Sequence, residues 1–309
     1  MSALLVQDGG PLTTIQDLGR FGHLRVGIPT SGPMDREAFV LANRLVGNAD
    51  NAAGLECTLL GPRLEFTDER LVAVTGADMA PTLNGAAAPA WQGLRVKPAD
   101  VLRLGPARSG VRAYVAVAGG IETPLVLGSR ATYPRGRLGG LDGRALRKGD
   151  RLPLGAITAA RPLRVRPDRI PAYAGEAEVA VVLGPQDDRF TPAGIAAFLE
   201  GPYEILPQSD RMGARLKGPF IEHTHGHDIV SDGVPMGGIQ VIGEGQPIVL
   251  LADRQSAGGY TKIGTVCSFD LGRIAQIKPG GRLRFRRVTV ADAHAMLRDS
   301  RRALDTAIE

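Results

Sequence analysis

Short runs rich in Val, Ile and Leu, most of them closed off by Gly, Pro or Asp, set the limits on what this chain can become. They fall at 2–6, 63–67, 70–75, 101–104, 111–118, 162–166, 178–183, 203–206, 237–242, 247–252, 262–269 and 282–288. Apolar runs of this length bounded by turn residues read as strands. The punctuation is dense, with 41 Gly and 22 Pro spread over 309 residues. Many short strands and few helices argue for closed or nearly closed β architecture. The expected class is mainly β with a few helices, arranged as two β-barrel-like subdomains.

Helical pattern is confined to a few places. Residues 34–46 place Met34, Ala38, Leu41 and Leu45 at helical spacing, with Pro33 suited to the first turn and Gly47 to the stop. Residues 290–306 follow Thr289, with Asp292 three positions on in a capping-box arrangement; Met296, Leu297 and Leu304 would face the body. A shorter helix over 191–199 opens at Thr191-Pro192. A weak repeat links Val96–Leu104, Leu146–Leu154 and Ile277–Phe285, each a polar turn feeding an alternating strand. The proline-rich stretch 156–176 marks a boundary near residue 170, giving subdomains 1–170 and 171–290 and a C-terminal helix over 291–309.

Composition narrows the partners. Net charge is +5, yet the basic residues are scattered and aromatics make up only 5%. Nucleic-acid binding needs a concentrated basic stripe and stacking platforms, so it is not expected. No apolar run approaches the ~18 residues of a membrane span, and the N-terminus lacks the pattern of a signal peptide, so a cytoplasmic protein is expected. Cys57 and Cys267 sit in separate apolar contexts and read as two buried thiols. There is no phosphate loop of the Gly-x-x-x-x-Gly-Lys-Ser/Thr kind, no dinucleotide fingerprint, no Gly-x-Ser-x-Gly elbow and no Met-Lys-Met-like segment to carry covalent biotin.

Chemistry concentrates in Asp253–Lys262, which sets a carboxylate, an amide, a phenol and an ammonium around Gly258-Gly259. The chain has five lysines against thirty-two arginines. Lys97, Lys148 and Lys278 belong to the repeated turns, leaving Lys217 and Lys262 to explain. An ammonium is a compact point charge, unlike a planar guanidinium, so Lys262 is a candidate catalytic cation with Asp253 beside it; the alternative is a solvated strand face. Three further clusters stand out. Thr14–Asp35 runs through Arg20 into the first helix, whose N-terminus offers an anion site, or is a loop held by its own turns. Gly184-Pro185-Gln186-Asp187-Asp188 leaves the end of a buried strand, as ligand contacts often do and as ordinary turns also do. Ser209–Leu216 and Asp228–Val241 bring Arg211, a carboxylate clamp or a surface ion-pair partner, with Ser231 and Gln240, an amide reader. His223, His225 and His227 alternate in a pattern that suits zinc, but nothing nearby completes a ligand set, and no metal is expected.

These residues carry a resemblance. Gln16–Arg20, Gly32–Asp35, Leu55-Glu56, Val117–Ile121, Gly184–Asp187, Ser209–Gly213, Ser231–Gly233 and Gly245–Tyr260, in this order, resemble the biotin-dependent carboxyltransferase-type family. Its stand-alone bacterial members are the C-type subunits of 5-oxoprolinase, a family also called allophanate hydrolase subunit 2 or kinase-inhibitor antagonist. The chain is also similar to subdomains A and B of the urea carboxylase carboxyltransferase domain. The resemblance spans roughly residues 3 to 290. Ile242 stands where the family pattern has proline, and the loop from His223 to His227 departs from it.

The resemblance implies a cyclophilin-like barrel as one subdomain and a heteromeric complex with a B-type and an A-type subunit. That complex would open 5-oxo-L-proline to L-glutamate with ATP, and Mg2+, as a hydrolase, with no covalent biotin on this chain. Under it, Lys262 and Asp253 are the expected catalytic pair. Gln240, Gln255 and Tyr260 are expected to read the amide, Arg211 or Arg20 the substrate carboxylate, and Ser231 and Gln186 to line the site. Two other roles are compatible: a regulatory module sequestering a B-type partner, and a carboxyltransferase component acting on urea-like amides. A prolyl isomerase rests on fold analogy alone.

Overall fold

The computed structural model describes residues 2–157 and 161–309. Residues 158–160, inside the proline-rich stretch expected to hold a boundary, lie outside the described residues. The chain divides into two compact units. The first comprises Met1–Phe21, Ser31–Ala172 and Ala303–Glu309, the second Gly22–Thr30 and Tyr173–Arg302.

The first unit is built of two antiparallel sheets. One has six strands in the order Arg151–Pro153, Ala3–Asp8, Arg63–Phe66, Val101–Arg103, Thr82–Leu83, Ala86–Ala87. The other has five, in the order Thr13–Gln16, Gly54–Thr58, Ser109–Val117, Arg70–Asp78, Gly93–Val96. Leu4, Val6, Leu64, Phe66 and Leu102 from the first sheet share one core with Leu55, Cys57, Val72, Val74 and Val115 from the second. The helix Arg36–Leu45 buries Phe39, Val40 and Leu41 and packs on strands Arg70–Asp78 and Ser109–Val117. Phe39 meets Tyr114 edge-on, with ring centroids 5.9 Å apart. Of the two β-barrel-like subdomains expected, the second unit is a closed barrel and the first is this pair of sheets.

The helix begins later than the spacing suggested, because Asp35 serves as its N-cap and accepts from Ala38 N at 3.1 Å. The run 162–166 does not join a sheet. Pro162 opens it and Pro167 follows it, each without an N–H donor, and among the described residues it makes isolated bridges, Gln92 to Arg164 and Val165 to Ile308. Two of the repeated turns close alike: Asp100 accepts from Lys97 N at 2.7 Å and Asp150 from Arg147 N at 2.9 Å.

The second unit is a closed barrel of seven strands in the order Glu176–Leu183, Lys262–Val266, Gly238–Val241, Pro247–Leu250, Gly213–Lys217, Tyr203–Ile205, Arg282–Arg287. Every pairing is antiparallel except the closing one, where Glu176–Leu183 runs parallel to Arg282–Arg287. Closure removes exposed edges from these short strands. The helix Pro192–Glu200, capped by Thr191, stacks Phe198 on Phe285 at 4.5 Å. Val290–Asp305 is a helix closed by the expected capping box: Asp292 N donates to Thr289 Oγ1 at 3.1 Å and Thr289 N to Asp292 Oδ2 at 3.2 Å. Its Ala293 and Met296 pack on a cluster of Ala180, Cys267 and Val288. A two-stranded ribbon, Asp228–Gly233 against Ala257–Tyr260, stands apart from the barrel sheet and is largely exposed. No helix among the described residues is long and apolar enough to cross a membrane.

Candidate functional site

Lys262 opens a barrel strand and is buried to 1% exposure. Its backbone is pinned from both sides by Gln186: Lys262 N donates to Gln186 Oε1 at 3.0 Å, and Gln186 N donates to Lys262 O at 3.1 Å. The aliphatic stem is thus enclosed and the ammonium delivered to one place. There it donates to Asp232 Oδ2 at 3.2 Å. Asp232 belongs to the ribbon and its side chain is 54% exposed, so the ion pair sits between the barrel wall and solvent. The Lys262 ammonium holds the Asp232 carboxyl below the usual carboxylate range. Gln186 Nε2 also donates to Asp232 Oδ2, at 3.4 Å, so one amide side chain ties the lysine backbone to the lysine's partner.

Gln240 is the direct cross-strand neighbour of Lys262. Opposed residues of an antiparallel pair share a face, which sets the amide beside the lysine stem. Gln240 is 2% exposed; its Oε1 accepts from Gln255 Nε2 at 3.2 Å, while its Nε2 is buried with no hydrogen-bond partner among the described residues. A buried amide N–H without an acceptor costs about 1–3 kcal/mol. Such a group is an address for a ligand oxygen. Gly258 makes the space: a β-carbon there would lie 2.5 Å from Gln240 Nε2.

Around this centre, Ser231 lies on the exposed ribbon strand, and Tyr260 is 40% exposed and stacks on His227 at 5.9 Å. His223 Nε2 is 3.0 Å from Thr261 Oγ1, and burial, with the nearby His227, pushes its imidazole below the usual value. No cluster of three potential metal ligands occurs among the described residues.

Lys262, Gln240, Gln255 and Gln186 are therefore brought together by the barrel, with Tyr260 and Ser231 on the adjoining ribbon. No hydrogen bond or ion pair joins Lys262 to Asp253 among the described residues. Asp253 is buried and takes a two-point clamp from Arg211, Nε to Oδ2 at 2.8 Å and Nη2 to Oδ1 at 3.1 Å. The carboxylate facing Lys262 is Asp232, thirty positions earlier, and Arg211 spends its fork on the protein's own aspartate. Asp232 was visible in the sequence only as the middle of Ser231-Asp232-Gly233.

Arg20 belongs to the first unit, where it is 1% exposed and donates to the carbonyls of Val126 and Ala131, each at 2.9 Å. The neighbouring Asp17 accepts from Ser129 Oγ and Arg130 N, each at 2.6 Å. The start of the first helix is likewise engaged: Met34 N donates to Glu56 Oε2 and Asp35 N to Tyr114 Oη, each at 2.8 Å. The motif around Arg20 thus braces loops. A cavity of about 370 Å³ in the first unit is lined by Ser2, Asp68, Arg70 and Pro153. The buried cation there, Arg70, is already bound to Asp68, at 2.6 Å from Nη2 to Oδ2.

Comparison with known proteins places this chain among relatives. Residues 26–287 match the model of the carboxyltransferase domain, subdomain A and B. The chain is 36% identical over 295 residues to the C-type subunit of 5-oxoprolinase from Escherichia coli, covering 95% of this chain and 94% of that protein. It is 34% identical over 298 residues to urea amidolyase of Saccharomyces cerevisiae, covering 89% of this chain and only 16% of that much longer enzyme. Among solved structures, the urea amidolyase of K. lactis superposes with a TM-score of 0.94 at 32% identity, over 98% of this chain and 20% of that one. By sequence and by architecture, the chain belongs to the carboxyltransferase subdomain A and B family.

Proposed function

We propose that this chain is the C-type subunit of a cytoplasmic, ATP-dependent 5-oxoprolinase, active in complex with a B-type and an A-type subunit. The E. coli 5-oxoprolinase relative supports this reading, because the match runs nearly end to end on both chains, whereas the yeast urea amidolyase is matched over only a small part of its length. ATP, with Mg2+, would be the co-substrate of the complex, and this chain would carry no covalent biotin.

The observation that carries the chemistry is the pair formed by the Lys262 ammonium and the unsatisfied Gln240 Nε2. A lactam is an unreactive amide, and opening it places negative charge on the amide oxygen. Fixed donors aimed at that oxygen lower the barrier. An ammonium has three N–H donors, and Asp232 takes one. Gln240 offers a neutral donor from the neighbouring strand, and Gln255 fixes its orientation. Asp232 and Gln186 act as positioning residues, while Asp253 holds Arg211 and shapes the strand end that carries Gln255. Tyr260 and Ser231 line the outer rim.

The test is reconstitution with the two partner subunits and measurement of 5-oxoproline-dependent ATP hydrolysis. Lys262→Ala is expected to lower the rate by about 10²–10³-fold. A rate within a few-fold of the parent protein sinks the assignment. The TM-score of 0.94 to the K. lactis enzyme favours, as a second reading, action on urea-like amides within a carboxyltransferase. Urea in place of 5-oxoproline in the same assay separates the two.

A further inference from the structure

Five arginines are deeply buried among the described residues. Arg70, Arg112 and Arg211 each face a carboxylate, and Arg20 is bound by backbone carbonyls. Arg254 differs. It is 4% exposed, and no acidic side chain lies within ion-pair distance of it among the described residues. Its Nε donates to Val234 O at 2.9 Å and its Nη1 to Thr30 Oγ1 at 3.4 Å, which leaves three of the five guanidinium N–H groups for another acceptor. Burial acts on it unopposed and pulls its pKa down from the usual value. An enclosed cation with neutral partners alone is costly to keep, and an anion that settles on it recovers that cost.

The position of Arg254 says which ligand. Its neighbour Gln255 holds the Gln240 amide, and Val234, whose carbonyl takes the Arg254 Nε, lines the same small space. A β-carbon on Gly258 would lie 3.4 Å from Val234 Cγ2 and 2.5 Å from Gln240 Nε2. Val234 thus links the two groups: its carbonyl holds the Arg254 guanidinium, and its side chain, with Gln240 Nε2, bounds the space that Gly258 leaves open. The guanidinium fork matches a planar oxyanion by two parallel hydrogen bonds. Arg211, the other arginine near this strand end, is already committed to Asp253.

We propose that Arg254 is the receptor for a substrate carboxylate, so that the site selects amides that carry a carboxylate over neutral amides. This rests on the amide-activating reading of Lys262 and Gln240, and it distinguishes 5-oxoproline from urea on the chain's own residues. Phosphate shares the oxyanion chemistry and is the competing occupant.

The experiment is calorimetric binding to the reconstituted complex of four probes: 5-oxoproline, 2-pyrrolidinone, N-acetylglycine and inorganic phosphate. 2-Pyrrolidinone is the same lactam without the carboxylate, and N-acetylglycine is an open-chain amide with one. The carboxylate-bearing amides are expected to bind about 100-fold more tightly than 2-pyrrolidinone. Arg254→Gln is expected to abolish the difference, and Arg254→Lys, which keeps charge but loses the fork, to restore part of it. Equal binding of 5-oxoproline and 2-pyrrolidinone overturns the proposal. So does a preference that survives Arg254→Gln, a response to the substitution seen with phosphate alone, or no binding of either carboxylate. If Arg254→Gln fails to fold, the four-probe comparison on the parent complex and Arg254→Lys still decide. If the complex binds N-acetylglycine through Arg254 yet does not turn over 5-oxoproline, the functional reading falls and the carboxylate receptor stands.

Discussion

Gly258→Ala pulls activity and stability apart. The added methyl group would sit 2.5 Å from Gln240 Nε2, well inside ordinary contact, and 3.4 Å from Val234 Cγ2, which is tolerable. The obstacle is the tip of a flexible side chain, so the amide swings aside by about 1 Å and the backbone stays in place. Gly258 is not among the residues with left-handed backbone, so alanine fits its conformation. Restricting the unfolded chain then contributes about 0.4–1 kcal/mol in favour of folding, offset in part by the displaced amide. Stability should therefore change by less than about 1 kcal/mol. Displacing a positioning donor by about 1 Å costs on the order of 10²-fold in rate. Urea unfolding of the purified chain reads the first quantity, and 5-oxoproline-dependent ATP hydrolysis by the reconstituted complex reads the second. Unchanged turnover with a correctly folded variant refutes the role given to Gln240. A loss of several kcal/mol shows instead that Gly258 serves the fold.

Three further outcomes are expected. Asp253→Asn removes one partner of the buried Arg211–Asp253 ion pair and should destabilise by about 3–5 kcal/mol in urea unfolding, while an Arg211→Met, Asp253→Leu double substitution recovers much of that loss. His223 resists protonation in the fold because of burial and the nearby His227, so the unfolded chain takes up the extra proton below about pH 6.5. Stability should then rise with pH across that interval, with a lower urea midpoint at about pH 5.5 than at about pH 7.5 and a smaller difference in His223→Gln. Burial pushes the Cys57 thiol up to about 12, so alkylation of Cys57 should follow global unfolding and show no labelling of the native chain at neutral pH.

Much of the barrel was legible because its strands are short apolar runs between turn residues, and the long C-terminal helix because Thr289 and Asp292 signal its start. Thr13–Gln16 escaped that reading. All four residues are buried, three of them polar, so apolar pattern does not mark the strand. Asp228–Gly233 escaped for the opposite reason, being exposed nearly throughout and held by its ribbon partner. In the site, the scarcity of lysine pointed to Lys262, and its buried environment was a fact of the barrel. Its carboxylate partner was not legible, because nearness along the chain favoured Asp253 while the fold brings Asp232 from a separate ribbon. Arg254 carried no signal among thirty-two arginines. What distinguishes it is spatial: its guanidinium donates to the Val234 carbonyl and the Thr30 hydroxyl, with no ion pair to an acidic side chain among the described residues and three N–H groups left over.

The hold of Gln186 on Lys262 makes a loop stand in for a sheet partner. A ladder neighbour would fix the lysine through backbone alone; here half of the grip is a side-chain amide reaching out of the turn after Glu176–Leu183. The length of that turn is consequently as constrained as the lysine itself. Adding or removing one residue between Leu183 and Gln186 would slide the anchor along the barrel rim and misaim the ammonium, with every strand still in register.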